Sequence, residues 1–334
     1  MTVIVRQPKS LPNFAYQKMA EGARFENPEA LETMGTDLTS SSRSQSLTEE
    51  SEVERNRSNM IGRDSSATVW PHSVVCSLAM NKEQKSRCRL CLKEKKFIKA
   101  HIIPEGFFRP LRSGSLAPEM HTNTPGSYPK RTQVGAYDSS ILCLECDQKM
   151  APWDGYAQEV LIHRFSEANK ILLQGRTVAR RIENFDYRRL KLFFISLLWR
   201  SSVSRHDFYK RISLGPFEDR LKDMILAGDP GGSQDFAVIL ARFEDPEFTA
   251  MLDPHPEKFD SVSFCRFYLT GFVAYIKVDQ RPAPTFLADF FLRENAPLII
   301  LARSLRNSPD GLVMREIAKS AMAKKRGESR EATD

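Results

Sequence analysis

The apolar positions change period along the chain, and the changes divide it. Within the first 79 residues, "GTDLTSSSRSQSLTEESEVERNRSN" is polar, rich in Ser and Glu, and has no apolar period. Such a stretch cannot bury enough surface to offset chain entropy. Residues 1–79 are therefore expected to be disordered, or to be an extension upstream of the working start. Met80 opens "MNKEQKSRCRLC", a natural short lead-in to the first cysteine pair. Beyond it, "KFIKAHII" alternates as a strand does. "EGFFRPLRSGSLAPEMHTNTPGSYPKRTQVGAYD" reads as a long insertion, helical at "PEGFFRPL" and loop afterwards. "SSILCLEC" predicts a second strand. "DQKMAPWDGYAQEVLIHRFSEANKILL" has helical spacing through Trp153, Tyr156, Val160, Leu161 and Phe165, and on to Ile171 and Leu172. Pro152 stands near its start, where proline is tolerated.

Helices are expected to continue over 176–228. "DYRRLKLFFISLLWRSSVS" predicts a core helix, and "GPFEDRLKDMILAG" an amphipathic one stopped by Gly228. From Phe236 the pattern turns strand-like: "FAVILARF", then two strands of "SFCRFYLTGFVAYIKV" about Thr270-Gly271, then "PLIILARS". "DGLVMREIAKSAMAKKR" predicts a last helix fading into charge. The expected fold class is α+β, with a cysteine module at 80–170, a helical then α+β domain at 171–320, and a charged tail at 321–334.

Composition narrows the class. The chain has 334 residues, 41% of them hydrophobic, enough for a real core. No apolar run approaches the roughly 20 residues that span a bilayer. "LKLFFISLLW" is too short and has basic flanks. The first residues show no apolar leader with a cleavage site. A soluble, cytoplasmic protein without membrane contact is expected. The net charge is +7. Residues 80–150 carry thirteen Lys and Arg against seven Asp and Glu. A positive field there attracts phosphate backbones, although a solvated lysine-rich surface accounts for the same count.

Four of the six cysteines form two Cys-x-x-Cys pairs, Cys88 with Cys91 and Cys143 with Cys146, with 51 residues between the pairs. Each pair presents two sulfurs on one side of a turn, so two pairs complete a closed tetrahedral zinc site. The competing reading is redox chemistry, but a redox Cys-x-x-Cys opens a helix within a βαβ unit, and residues 80–95 offer none. Cys265 lies in an apolar run and reads as a small core residue. "WRSSVSRHDF" has two readings: Arg200, Ser201, Ser202 and Arg205 contact phosphate at a helix end, or they form a terminus whose charges are solvated or paired.

The order Cys-x-x-Cys, a strand ending in "HIIPE", and "SSILCLECDQK" running into a helix resembles the HNH (ββα-metal) endonuclease superfamily in its zinc-stabilised, two-knuckle form. More narrowly, it resembles uncharacterised bacterial HNH-like proteins with the same "HIIPE" and "LC-x-x-C" signatures. The resemblance implies a ββα-metal module followed by the helical and α+β part, hydrolysing phosphodiester bonds of DNA, or alternatively of RNA. It implies His101 as the general base that activates water, and Asp138 as the residue that orients the base or its loop. Asp147 takes the place of the metal-binding His after the last cysteine. The implied ion is Mg²⁺ or Mn²⁺, beside the structural zinc. Asp154, seven residues further along the same helix face, is a candidate second carboxylate ligand. Ala100 stands where many HNH enzymes carry Asp or His. The alternative function is a non-catalytic zinc module that binds nucleic acid or a partner protein; it needs the cysteines but neither His101 nor Asp147.

Overall fold

The computed structural model describes residues 1–5, 87–112, 117–122, 129–132, 135–245, 250–306, 308–317 and 319–320. In chain order the early strands are β1 (Thr2–Val5), β2 (Ala100–His101), β3 (Glu119–Thr122), β4 (Lys130–Arg131) and β5 (Tyr137–Asp138). β2 and β5 pair antiparallel, with Ala100 opposite Asp138 and His101 opposite Tyr137. Short 3₁₀ turns at Glu105–Phe107 and Arg109–Leu111 open the segment between them. They sink Phe107 and Phe108 into the core. Gly135, at φ 83, lies against the Phe108 ring, where a Cβ would sit 2.3 Å from it. Only glycine lets the chain pass there into β5.

Helix α1 (Leu144–Gln158) starts at Cys143 and buries Cys146, Met150, Trp153 and Tyr156. It loosens into a π turn (Glu159–His163) and a 3₁₀ turn (Arg164–Glu167). The expected helical continuation through Ile171 and Leu172 fails at this point. Asn169–Leu173 is strand β6, and it returns as β7 (Arg176–Ile182) through Gln174 and Gly175, both at positive φ. The apolar spacing that imitated a helix belongs to an exposed edge hairpin. The expected domain boundary at 170 falls inside β6.

Helix α2 (Tyr187–Val203) is capped by Asp186, whose side chain accepts the Arg189 N–H at 2.9 Å. Thirteen of its residues are buried, so it is surrounded rather than half-faced. Phe193 stacks on Phe107, with ring centres 5.7 Å apart. Helix α3 (Phe217–Ala227) ends in the left-handed Gly228. The strands β8 (Val238–Phe243), β9 (Ala250–Leu252), β10 (His255–Phe259), β11 (Val262–Leu269), β12 (Phe272–Lys277) and β13 (Leu298–Arg303) follow. Thr270 and Gly271, both at positive φ, make the tight turn between β11 and β12. A last helix, α4, begins at 309 and is described as far as 317.

Among the described residues a seven-stranded sheet has the order β10-β11-β12-β8-β13-β7-β6, parallel only between β13 and β8. A four-stranded sheet has the order β4-β3-β1-β9. The class is α+β. One hydrophobic core runs from Val3 and Cys88 through α2 to Ile317, so the cysteine module and the C-terminal part are not separate cores. β1 corrects the expectation for residues 1–79 at one point. Val3 and Ile4 are buried, and the strand lies between β3 and β9. The rest of that expectation, Cys76, the 321–334 tail and the start at Met80 lie outside the described residues. No described helix is long and apolar enough to cross a membrane.

Candidate metal centre and adjoining site

The backbone around the cysteines serves the sulfurs more than a strand ladder. "KFIKAHII" gives only β2 and a bridge from Phe97 to Cys143, and the strand expected at "SSILCLEC" sits earlier, at β5. Instead the Arg89 N–H donates to the Ile141 carbonyl at 2.9 Å, and the Ile98 N–H to the Leu142 carbonyl at 3.1 Å. Leu92, at φ 61, turns the first knuckle, and its N–H donates to the Cys88 carbonyl. Lys95 pairs with Glu145 across the two knuckles.

The four sulfurs of Cys88, Cys91, Cys143 and Cys146 all lie within 4.8 Å of one another. Cys91 Sγ and Cys143 Sγ are 3.9 Å apart. A zinc–sulfur bond of about 2.3 Å gives a tetrahedron with edges of about 3.8 Å, so the donor set fits zinc. The Cys143 N–H donates to Cys88 Sγ at 3.4 Å. Burial opposes ionisation of Cys88, yet the backbone N–H groups of Cys91, Cys143 and Leu90 bring its thiol down to about 7. Burial, then the neighbouring sulfurs, push Cys146 up. A cation is what lets all four act as thiolates together. Cys265 is separate: it is buried in β11, and burial pushes its thiol up to about 12.

His101, at the end of β2, lies within electrostatic reach of Asp147, the residue that follows Cys146. Its ring is half-buried, edge-on to Tyr137 at 6.2 Å, and its Nε2 is covered without a hydrogen-bond partner among the described residues. Burial holds its pKa below the ordinary imidazole value, while Glu105, Asp147 and Asp154 pull it up and Arg200 pushes it down. Asp147, in the first turn of α1, is in the same neighbourhood. Burial raises its pKa, and Arg200 and His101 lower it. No described residue hydrogen-bonds its carboxylate.

The other two acids are committed to protein partners. Asp154 accepts from Arg200 Nη2 at 2.7 Å and Nη1 at 2.9 Å, a two-pronged pair. Burial raises the pKa of Asp154 against that opposing pull. With a guanidinium on both oxygens, Asp154 is poorly placed to take a cation as well. Asp138 is buried; one oxygen accepts the N–H and hydroxyl of Ser140 at 2.8 and 2.6 Å. The other accepts the Ser204 hydroxyl at 3.1 Å and the Arg205 N–H at 2.7 Å. Burial works to raise its pKa, but these donors outweigh it and hold the carboxyl below its ordinary range.

Of the two readings of "WRSSVSRHDF", the geometry takes the paired terminus. Arg200 is buried, Ser201 donates to the Leu197 carbonyl, and Ser202 donates to Glu218. Arg200 is what sequence reasoning missed as an organiser. Its Nη1 also donates to the His101 carbonyl at 2.9 Å, and Ser196 accepts from its Nε and Nη2. A charged residue inside an apolar helical run was the available signal, since a buried arginine needs partners.

Among the described residues the four cysteines are the only group of three or more metal-type ligands in mutual reach. Together these features define the class: an α+β protein with a four-cysteine cluster at metal-binding distance, and a histidine and a carboxylate within electrostatic reach of each other. Comparisons with protein-family models, with curated proteins and with solved structures found no match.

Proposed function

We propose that this chain is an HNH-like, metal-dependent endonuclease with a structural zinc, hydrolysing DNA and, as the alternative substrate, RNA. The observation that carries the reading is the unmet hydrogen-bonding demand at His101. Its Nε2 has no hydrogen-bond partner in a site that also holds the unbonded carboxylate of Asp147. Buried polar atoms are rarely left this way, and a movement of the surrounding side chains that uncovers the nitrogen to a water, ion or substrate atom would meet the demand. Two short antiparallel strands followed by a helix, anchored by four cysteines, support the same reading.

In this reading His101 accepts the proton of the attacking water, a task for which burial favours the neutral imidazole. Asp147 would hold a hard divalent ion with substrate phosphate and water completing its shell, as Mg²⁺ sites commonly do. Such an ion, when bound, would stabilise charge on the phosphate and the leaving oxygen. Arg200 fixes the backbone of β2 under the base. Asp138 ties β5 to the end of α2 and acts on position, not on substrate.

One observation favours a second reading, the non-catalytic zinc module on nucleic acid. Ala100 and the Arg200-bound Asp154 leave Asp147 as the one open acid of this cluster among the described residues. A plasmid assay separates the two. Zinc-loaded protein with Mg²⁺ or Mn²⁺ should nick supercoiled DNA, and His101→Ala should abolish nicking with zinc content unchanged. Equal behaviour of the two proteins across several metals would sink the endonuclease reading. Salt-sensitive binding without cleavage would leave the second.

A further inference from the structure

β6 forms one edge of the seven-stranded sheet, and all five of its residues are exposed. Leu172 and Leu173 are each 60% exposed at the closed end of the β6–β7 hairpin, and Ile171 and Val178 add to the apolar patch. Over 169–182 the chain carries Lys170, Arg176, Arg180 and Arg181 and no acid. Across the hairpin Lys170 faces Arg180, and Leu173 faces Arg176. Arg180 is paired with Glu244 and Arg181 with Glu183. Lys170 and Arg176 have no acid within ion-pair distance among the described residues. β13 pairs with β7 as far as Ala179, so only the tip of the hairpin, residues 171–178, is two-stranded, and there exposed leucines sit between cations.

We propose that the β6–β7 hairpin is a docking element for duplex DNA, with Lys170 and Arg176 on phosphates and Leu172 and Leu173 against the bases. The proposal deepens the endonuclease reading by naming the surface that would hold its substrate, and its choice of DNA rests on that reading. The charge argues for a polyanion. Edge-to-edge pairing with a second copy would bring the same cations together, which destabilises a strand pair. Strand elements are used in either DNA groove, and an apolar tip flanked by cations suits the minor groove, where apolar side chains wedge between base steps.

The test uses the full chain, zinc-loaded, with no other divalent ion, and a labelled duplex of about 30 base pairs read by fluorescence anisotropy over a range of salt. Leu172→Ser with Leu173→Ser should weaken binding roughly tenfold and leave the salt slope unchanged. Lys170→Ala with Arg176→Ala should reduce the slope by about one to two. Circular dichroism and zinc content verify that each variant folds, and the single change Arg176→Glu supplies a third reading should either pair misfold. Binding unaltered in the variants, no binding of duplex by the wild type, or tighter binding to RNA or single strands would overturn the proposal. So would loss of a dimer on sedimentation with duplex binding unaltered, since the hairpin would then join copies of the chain. Cleavage is not read in this assay. A chain that binds through the hairpin but never cuts keeps this proposal and loses the endonuclease reading.

Discussion

Arg200 grips Asp154 with both arms of its guanidinium and, with one of the same nitrogens, the carbonyl of His101. One buried side chain of α2 therefore joins α1 to the strand that carries the candidate base. Its remaining donors go to Ser196, so all of the fork is used. A fully partnered buried arginine is the arrangement that makes such a charge tolerable.

Breaking this pair from either side should be costly. Asp154→Ala strands a guanidinium that is 1% exposed, and Arg200→Ala strands both the carboxylate and the His101 carbonyl. Each should lower stability by about 3–5 kcal/mol. Urea unfolding followed by tryptophan fluorescence reads it. The double variant should lose less than the two single losses added together, because the pair fails as a unit. Additive losses would show that the two residues do not act on each other.

The four-cysteine centre should hold one zinc per chain. Cys91→Ser or Cys143→Ser should remove it, and a strong chelator should lower the melting temperature of the wild type far more than that of either variant. Structural zinc contributes about 10–16 kcal/mol in small peptides. Its loss should therefore disorganise the two knuckles, which are joined by only a few backbone bonds such as Arg89 to Ile141. Elemental analysis with parallel melts checks this, and a metal-free wild type with an unchanged melt would refute it.

What was legible in the sequence was what local spacing dictates. The Cys-x-x-Cys pairs carry their ligand geometry within four residues, and the β11–β12 turn carries its own in Thr270-Gly271. α2 was legible because its apolar residues surround it. β6 was not: Ile171 and Leu172 continue a helical count, and only the Gln174-Gly175 turn and pairing with β7 make them a strand. β1 was hidden because four residues hold too little pattern to outweigh the polar stretch downstream; its partners are β3 and β9, far along the chain. The Arg200–Asp154 pair spans 46 residues, and no local rule predicts it. Asp138 was visible as an acid near the second knuckle, but the four donors around it come from two separate segments.

Asp138 should show its role in acid. Its folded pKa lies below the ordinary 3.8, so it binds protons less readily folded than unfolded. The stability it contributes is fully present above the unfolded value and is lost as pH falls through the folded one. Asp138→Asn removes the charge that its donors stabilise and should cost about 2 kcal/mol at pH 7. That cost should shrink below pH 4, where the wild type loses the same advantage. A loss independent of pH would mean that shape, not charge, holds β5 to the end of α2.

Lys191 gives the opposite sign. It is completely buried in α2, and its Nζ donates to the Phe236 carbonyl at 2.8 Å. Burial brings its pKa down to about 7, with Asp235 pulling it up and Lys277 pushing it further down. The unfolded chain holds the lysine proton up to about 10.4, so between pH 7 and 10 the unfolded state binds more protons than the folded one. Stability from this group must then rise with pH across that window, by up to about 1.4 kcal/mol per unit, and below pH 7 the penalty is present in full. Lys191→Met removes the charge but leaves the Phe236 carbonyl without its donor, which costs about 1–3 kcal/mol. The variant should therefore be the more stable protein near pH 6, lose that lead on the way to pH 10, and have the flatter profile throughout. Urea midpoints taken at each pH decide it. Parallel profiles for the two proteins would mean that Lys191 keeps its proton in the folded chain, matched by Asp235.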